Sequence, residues 1–220
     1  MSDANYSAAE HHAKPDVRRA MDFAECFRLL AARLREEIVV TSAGNCSELW
    51  WEITSDSERV FYLDASMSLA SLFAAGIALG TSRNVVALSG DGAFCMNPGM
   101  LMVERQMALP NLKHFLVSNR CYGSTNELPL RFPEHVDYGA MARAAGVERV
   151  YEFATVEGLR QALDEILEVP GHVFAVLEVE PLGHRLPSPP LDGPELKFRF
   201  GRYLERTGGP PIFDAPLHRS

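Results

Sequence analysis

Val85-Val86-Ala87-Leu88-Ser89-Gly90-Asp91-Gly92-Ala93 runs from an apolar strand into a glycine-flanked acid, and its reading decides the fold. The stretch continues through Met96-Asn97-Pro98 and Leu109-Pro110-Asn111 to a second apolar run, Phe115-Leu116-Val117. That run delivers Asn119-Arg120-Cys121-Tyr122-Gly123. Strands this short and this uniformly apolar belong to a parallel sheet covered on both faces. Asp91 and Asn119, 28 positions apart, then both arrive at carboxyl ends of strands, where open α/β sheets place ligands. Gly90 and Gly92 let backbone N–H groups approach an anion with no side chain in the way. A carboxylate, an amide oxygen and a backbone carbonyl are hard ligands suited to Mg²⁺, which also takes phosphate oxygens. Gly-Asp-Gly alone is a common turn; the combination with Asn119 points to a metal-diphosphate site.

Composition narrows the classes. The chain has 220 residues and a net charge of −8, which argues against nucleic acid as a partner. No apolar run reaches the span of a bilayer, so no membrane association is expected. The segment Met1 to Pro15 is polar rather than a signal peptide, so a cytoplasmic protein is expected. Cys26, Cys46, Cys95 and Cys121 are scattered with no C-x-x-C pair, and His11 and His12 read as tail residues.

In chain order, Asp16 is expected to cap a helix running to about Glu37, with Phe23, Phe27, Leu30 and Leu34 forming its core stripe. Ile38 to Thr41 reads as a buried strand ending in Thr41-Ser42-Ala43-Gly44-Asn45, ahead of a helix from Cys46 to about Ile53. Those hydroxyls and N–H groups are a second place to hold phosphate, or simply a cap and turn. Val60 to Leu63 is a strand. Asp64-Ala65-Ser66-Met67-Ser68 leads to a helix of small residues, Leu69 to Leu79, closed by Gly80. Ser124 to His135 is polar and reads as the most mobile segment; Glu127 within it would be a proton donor only if desolvated. Tyr138 to Ala145 and Val156 to Leu167 read as helices, and Val147 to Phe153 and Val173 to Val179 as strands. The alternation predicts a doubly wound parallel α/β sheet with helices on both faces. Residues 1–16 form a tail, 17–180 the domain and 181–220 a proline-rich arm with one helix from about Glu195 to Glu205. Arg185, Lys197, Arg199 and Arg202 of that arm could meet a substrate anion or a partner, or form a solvated basic face.

The Gly90-Asp91-Gly92 and Asn119 spacing resembles that of the thiamine diphosphate (ThDP) enzymes, over roughly Ile38 to Glu180. The resemblance implies that Asp91, Asn119 and the Cys121 carbonyl hold Mg²⁺. The cofactor would lie among Thr41, Ser42, Gly44, Asn45, Ala65, Ser66, Gly90, Gly92, Ala93, Tyr122 and Gly123. Met67 would wedge between its two rings, a contact suited to an unbranched, polarizable side chain. The Ala65 carbonyl and the Met67 N–H would face its pyrimidine, although many relatives have Gly at Ala65.

Thr41 to Leu49 is similar to Thr-Thr-Gly-Lys-x-Ser-Arg-Glu-Leu of sulfopyruvate and phosphonopyruvate decarboxylases. Gly44 and Ser47 fall on the lysine and the arginine, so two positive charges are missing. Ser124-Thr125-Asn126-Glu127-Leu128-Pro129 stands where related chains often read Ser-Thr-Gly-Asn-Gln-Pro.

The resemblance further implies a split enzyme. The activating glutamate belongs to a pyrimidine-binding domain that one sheet leaves no length to encode. This chain would be the diphosphate-binding subunit, a β subunit working with a separate partner, two copies of each. Together they would decarboxylate a small 2-oxo acid to an aldehyde. Carboligation, in which a second carbonyl takes the place of the proton, and a noncatalytic ThDP-binding subunit are the alternatives.

Overall fold

A computed structural model describes residues 20–63, 66–107, 109–131 and 136–213. Its centre is a parallel sheet of six strands: β1 (Ile38–Ser42), β2 (Val60–Leu63), β3 (Val85–Gly90), β4 (Leu112–Ser118), β7 (Arg149–Phe153) and β8 (Val173–Glu178). They lie in the order β2-β1-β3-β4-β8-β7. A two-residue antiparallel ladder, β5 (Cys121–Tyr122) with β6 (Leu128–Pro129), stands apart from it. The eight helices of the described residues are α1 (Phe23–Arg33), α2 (Asn45–Thr54), α3 (Ala70–Leu79), α4 (Asp91–Met96), α5 (Met100–Met107), α6 (Tyr138–Ala144), α7 (Val156–Glu168) and α8 (Gly193–Arg206). Among the described residues, no helix is long and apolar enough to cross a membrane.

Strand alternation sorts the core onto two faces, because successive side chains point to opposite sides of a sheet. Val39, Val86, Phe115, Val117, Ala175 and Leu177 pack with Phe27 and Leu30 of α1, Trp50 of α2 and Leu163 of α7. On the other face, Ile38, Val40, Val85 and Ala87 meet the small residues of α3 and Phe200 and Tyr203 of α8. Leu116, Phe174 and Val176 there meet Phe94, Met100, Leu101 and Tyr138. Burial on both faces is why β3, β8 and the Phe115–Val117 part of β4 read as continuous apolar runs instead of alternating.

Helix limits follow their caps. Asp22, Asp137, Thr155 and Asp192 accept the N–H groups of Glu25, Ala140, Gly158 and Glu195 at the heads of α1, α6, α7 and α8. The expected first helix is therefore shorter than its apolar stripe suggests. It begins at Phe23 because Met21 is held in extended pairing with Val179; Asp16, expected as its cap, lies outside the described residues. The strand expected from Val147 begins at Arg149, since the Val147 N–H bonds to the Ala142 carbonyl and closes α6. α8 is slightly longer than expected; it buries Leu196 and packs Phe200 and Tyr203 against the sheet.

Candidate functional site

The chain runs from β1 outward to β2 and then returns to β3 on the other side of β1. That reversal opens a crevice at the carboxyl ends of β1 and β3, the usual ligand position in such sheets. The pocket there is lined by the β1–α2 turn (Ala43, Gly44, Asn45, Cys46) and by the β3–α4 turn (Gly90, Asp91, Gly92, Ala93). The segment after β4 (Asn119, Cys121, Tyr122, Gly123, Ser124), together with Phe23, Met67 and Val117, completes it.

At the first wall, Gly44 takes φ +85°, a conformation that L side chains rarely adopt, and α2 starts from it without any side-chain cap. In contrast to the four capped helices, its first N–H groups are left for a ligand, and a helix N-terminus favours an anion. Thr41 and Ser42 lie behind this wall and hold it. Thr41 Oγ1 is 2.7 Å from Ser47 Oγ, which donates to the Ser42 carbonyl at 2.8 Å. Ser42 Oγ accepts the Gly90 N–H at 3.1 Å, tying β1 to the second wall.

The second wall carries the acid. Asp91 is 1% exposed, and its two oxygens accept the N–H groups of Gly92 at 2.8 Å and Arg120 at 2.7 Å. Burial pushes its carboxyl up to about 7, against the opposing pull of those backbone donors. A Cβ on Gly92 would lie 2.7 Å from the Tyr122 ring and one on Gly123 2.0 Å from Asn45 Nδ2, so the three segments interlock at their glycines. A Cβ on Gly90 would meet nothing within 4 Å, which leaves open space beside the acid.

Asn119 and Cys121 flank Arg120, whose φ of 61° turns the chain sharply between them. The strain is held by several contacts, as such conformations require. The Arg120 guanidinium reaches Glu178, donates to the Val136 carbonyl at 2.9 Å and lies 5.1 Å from the centre of the Tyr138 ring. The Asn119 side-chain oxygen accepts the Cys121 N–H at 3.2 Å. Burial pushes the Cys121 thiol up to about 12, keeping it neutral, which favours its carbonyl over its sulfur as a hard ligand. An acid buried on N–H groups, beside an amide oxygen and open space, fits a divalent cation that brings the missing positive charge. The uncapped α2 terminus fits a phosphate.

Of the residues expected at the site, Gly44, Asn45, Met67, Gly90, Asp91, Gly92, Ala93, Asn119, Cys121, Tyr122 and Gly123 line this pocket. Ser66 does not, and Ala65 lies outside the described residues. Phe23 was read only as core; it is core, and it also floors the pocket. A helical stripe gives no sign that its first member touches a crevice, since the contact comes from where α1 begins beside the sheet. Ser124 joins the lining as well. The segment around it, read as mobile, pairs Cys121 with Pro129 and Tyr122 with Leu128 and holds Asn126 and Glu127 at positive φ; residues 132–135 of that segment lie outside the described residues. Glu127 accepts the Gly183 N–H at 2.5 Å.

The chain is similar to known proteins. The family model for the thiamine pyrophosphate enzyme C-terminal TPP binding domain matches residues 46–179. The sulfopyruvate decarboxylase subunit beta of Methanothermobacter thermautotrophicus is 35% identical over 176 residues, covering 80% of this chain and 91% of that one. The sulfopyruvate decarboxylase of Methanosarcina acetivorans is 30% identical over 177 residues, covering 80% of this chain but 45% of its own length. The benzoylformate decarboxylase structure from Polynucleobacter necessarius superposes with a TM-score of 0.61 at 20% identity, covering 82% of this chain and 36% of that one, and shares the fold. The switch-point pocket, its acid and amide at adjacent strand ends, and these matches together show that the chain belongs to the thiamine pyrophosphate enzymes, as a C-terminal TPP binding domain.

Proposed function

We propose that this chain is the diphosphate-binding subunit of a split ThDP- and Mg²⁺-dependent 2-oxo acid decarboxylase, active with a separate pyrimidine-binding subunit. The observation that carries the reading is one of length. The chain spans 91% of a protein named as a beta subunit, yet only 45% of a relative named as the decarboxylase without a subunit label. A half-length match of this kind fits a second subunit that supplies what the longer relative holds in one chain.

In this reading, Asp91, Asn119 and the Cys121 carbonyl hold Mg²⁺. The α2 terminus, whose first N–H groups have no side-chain cap, would hold the diphosphate. Met67, which lines the pocket, would wedge between the cofactor's two rings. When bound, the cofactor supplies the nucleophile and the electron sink for loss of CO₂. The protein's share is orientation, exclusion of water by the apolar floor of Phe23 and Val117, and a neutral thiol at Cys46, which burial pushes up to about 12. α3 and the Met67 turn border the partner subunit, with two copies of each chain in the assembly.

The test is a 2-oxo acid turnover assay with ultracentrifugation, each run with and without the partner subunit, ThDP and Mg²⁺. Turnover should need both chains, and ThDP should tighten their association, because a ligand touching both is linked to their assembly. Full turnover by the isolated chain would sink the split reading. Equal turnover by a metal-site variant mixed with the partner would make the chain a noncatalytic subunit.

A further inference from the structure

Arg120 stands where an arginine is an unfavourable choice. Its φ of 61° lies in the left-handed region, which glycine enters freely and asparagine at little cost, whereas a long side chain has no local hydrogen bond to gain there. Yet this residue bears on every group of the candidate cation seat. Its N–H donates to Asp91 Oδ2 at 2.7 Å, Asn119 precedes it and Cys121 follows it. Across the bend that Arg120 makes, the Asn119 side-chain oxygen accepts the Cys121 N–H at 3.2 Å. A change in the Arg120 dihedrals would therefore move the amide and the carbonyl away from the acid together.

What the arginine adds is its fork. Nε donates to Glu178 Oε2 at 3.2 Å and Nη2 to Oε1 at 2.5 Å, a two-point pairing that fixes direction as well as distance. Both side chains are mostly buried. Nη1 donates to the Val136 carbonyl at 2.9 Å, and the guanidinium lies 5.1 Å from the centre of the Tyr138 ring. Glu178 is itself held in place. It is the last residue of β8, in register with Ser118 of β4, whose hydroxyl donates to its Oε2 at 3.2 Å. The bend is thus fixed from β8, through a carboxylate that does not line the pocket.

We infer that the Arg120–Glu178 pair is the positioning device of the cation seat: it holds the left-handed bend that keeps Asn119 and Cys121 beside Asp91, and so sets how tightly a divalent cation is bound. The inference rests on the reading of this pocket as a Mg²⁺–ThDP site. A pair that merely fastened β8 to β4 would act on the whole sheet. One that holds the bend acts on the Arg120 N–H and on the metal and leaves the sheet alone.

The probe is Mn²⁺, titrated into the full chain with ThDP and the partner subunit and followed by the electron paramagnetic resonance of the free ion. Amide hydrogen exchange of the full chain alone is the second readout. Glu178→Gln should weaken Mn²⁺ about tenfold and speed exchange of the Arg120 N–H by a similar factor, the scale of one lost charge-assisted hydrogen bond. The amides of Phe115, Leu116 and Val117 in β4 should keep their native rates, which marks a local opening. Arg120→Lys should retain part of the affinity. Arg120→Ala should lose more of it than Arg120→Gly, because glycine enters the bend without strain. Native affinity in Glu178→Gln or in Arg120→Gly, equal affinities in Arg120→Gly and Arg120→Ala, or β4 amides that speed up as much as that of Arg120 would each overturn the inference. A native chain that bound no Mn²⁺ would remove the metal reading and the inference with it, whereas native binding with unchanged variants would remove the inference alone.

Discussion

Among the described residues, two carboxylates, Asp91 and Glu104, lie fully inside this domain, and the protein treats them in opposite ways. Asp91, at the carboxyl end of β3, is met by two backbone N–H groups, and burial pushes it up to about 7. Glu104, in α5, is 0% exposed, but its Oε2 sits 3.1 Å from His114 Nδ1 and 2.9 Å from His172 Nε2. Burial opposes its ionisation as well, yet the two imidazoles, His114 foremost, outweigh it and hold the carboxyl well below the usual carboxylate range. His114 Nε2 continues the chain to Ser89 Oγ at 2.5 Å, so the cluster locks α5 to β3 and β4. Glu104, with two imidazoles at its Oε2, reads as a structural joint, whereas Asp91, met by two backbone N–H groups with the Ser118 hydroxyl and the Arg120 charge also favouring its ionised form, is the acid proposed above to hold a cation.

Removing each acid outright breaks the comparison most sharply. Asp91→Ala, and likewise Asn119→Ala, should abolish Mg²⁺-dependent ThDP binding, since the loss of one hard oxygen leaves the ion poorly held. Calorimetric titration of the assembled enzyme reads this, and native affinity in both variants would end the metal assignment. Glu104→Ala should act instead on stability, by about 3–5 kcal/mol, because it removes the buried partner of the His114 imidazole. Denaturant unfolding of the chain measures it; a loss below about 1 kcal/mol would mean that the joint is not one.

Asp91→Asn sharpens the contrast through pH, studied with a chelator present. The folded carboxyl titrates near 7 and the unfolded one near 3.8. Below about pH 4 both forms are protonated and the acid costs nothing. Between the two values the unfolded chain ionises while the folded one does not, so native stability falls as pH rises, by up to about 4 kcal/mol, and is flat above 7. The Asn variant escapes this loss. It should therefore be more stable than the native chain at pH 7.5 and no different at pH 4. Equal stabilities at pH 7.5 would show that Asp91 is not strained by its burial.

The contrast also marks what a sequence reveals. Asp91 and Asn119 were legible because their spacing and flanking glycines form a local pattern, and the strands that carry them are apolar enough to place at sight. Glu104, His114 and His172 form no such pattern. Glu104 sits among the polar residues of an amphipathic stretch, and His114 interrupts an apolar run. Only the parallel register, with His114 opposite both Ala87 and Phe174, brings Ser89, His114 and the approach to β8 together. The start of α1 was obscured for a related reason. Its stripe is local, but the pairing of Met21 with Val179 that delays the helix spans most of the domain. Arg185 was visible only as one of several arginines and lysines, and its partner Asn126 lies 59 positions away.

The smallest effect, and the one that ties the two acids together, is expected from Glu104→Gln. The amide keeps the shape and one acceptor oxygen but gives up the charge, so the cost above pH 5 should be about 2 kcal/mol, the scale of a hydrogen bond to a charged group. The sign of its pH dependence is the reverse of that at Asp91. The folded pKa of Glu104 is depressed below the ordinary 4.5, so its contribution is fully present above that value and is lost as pH falls toward the folded one. The difference between native chain and Gln variant should therefore shrink on acidification below about pH 4.5, whereas the difference between native chain and Asp91→Asn grows on the alkaline side of pH 4. Urea unfolding of both variants across pH 3 to 8, with a chelator, places the two curves on one axis. Curves that slope the same way would mean that the imidazoles do not compensate Glu104, and the division into a closed joint and an open cation seat would fail.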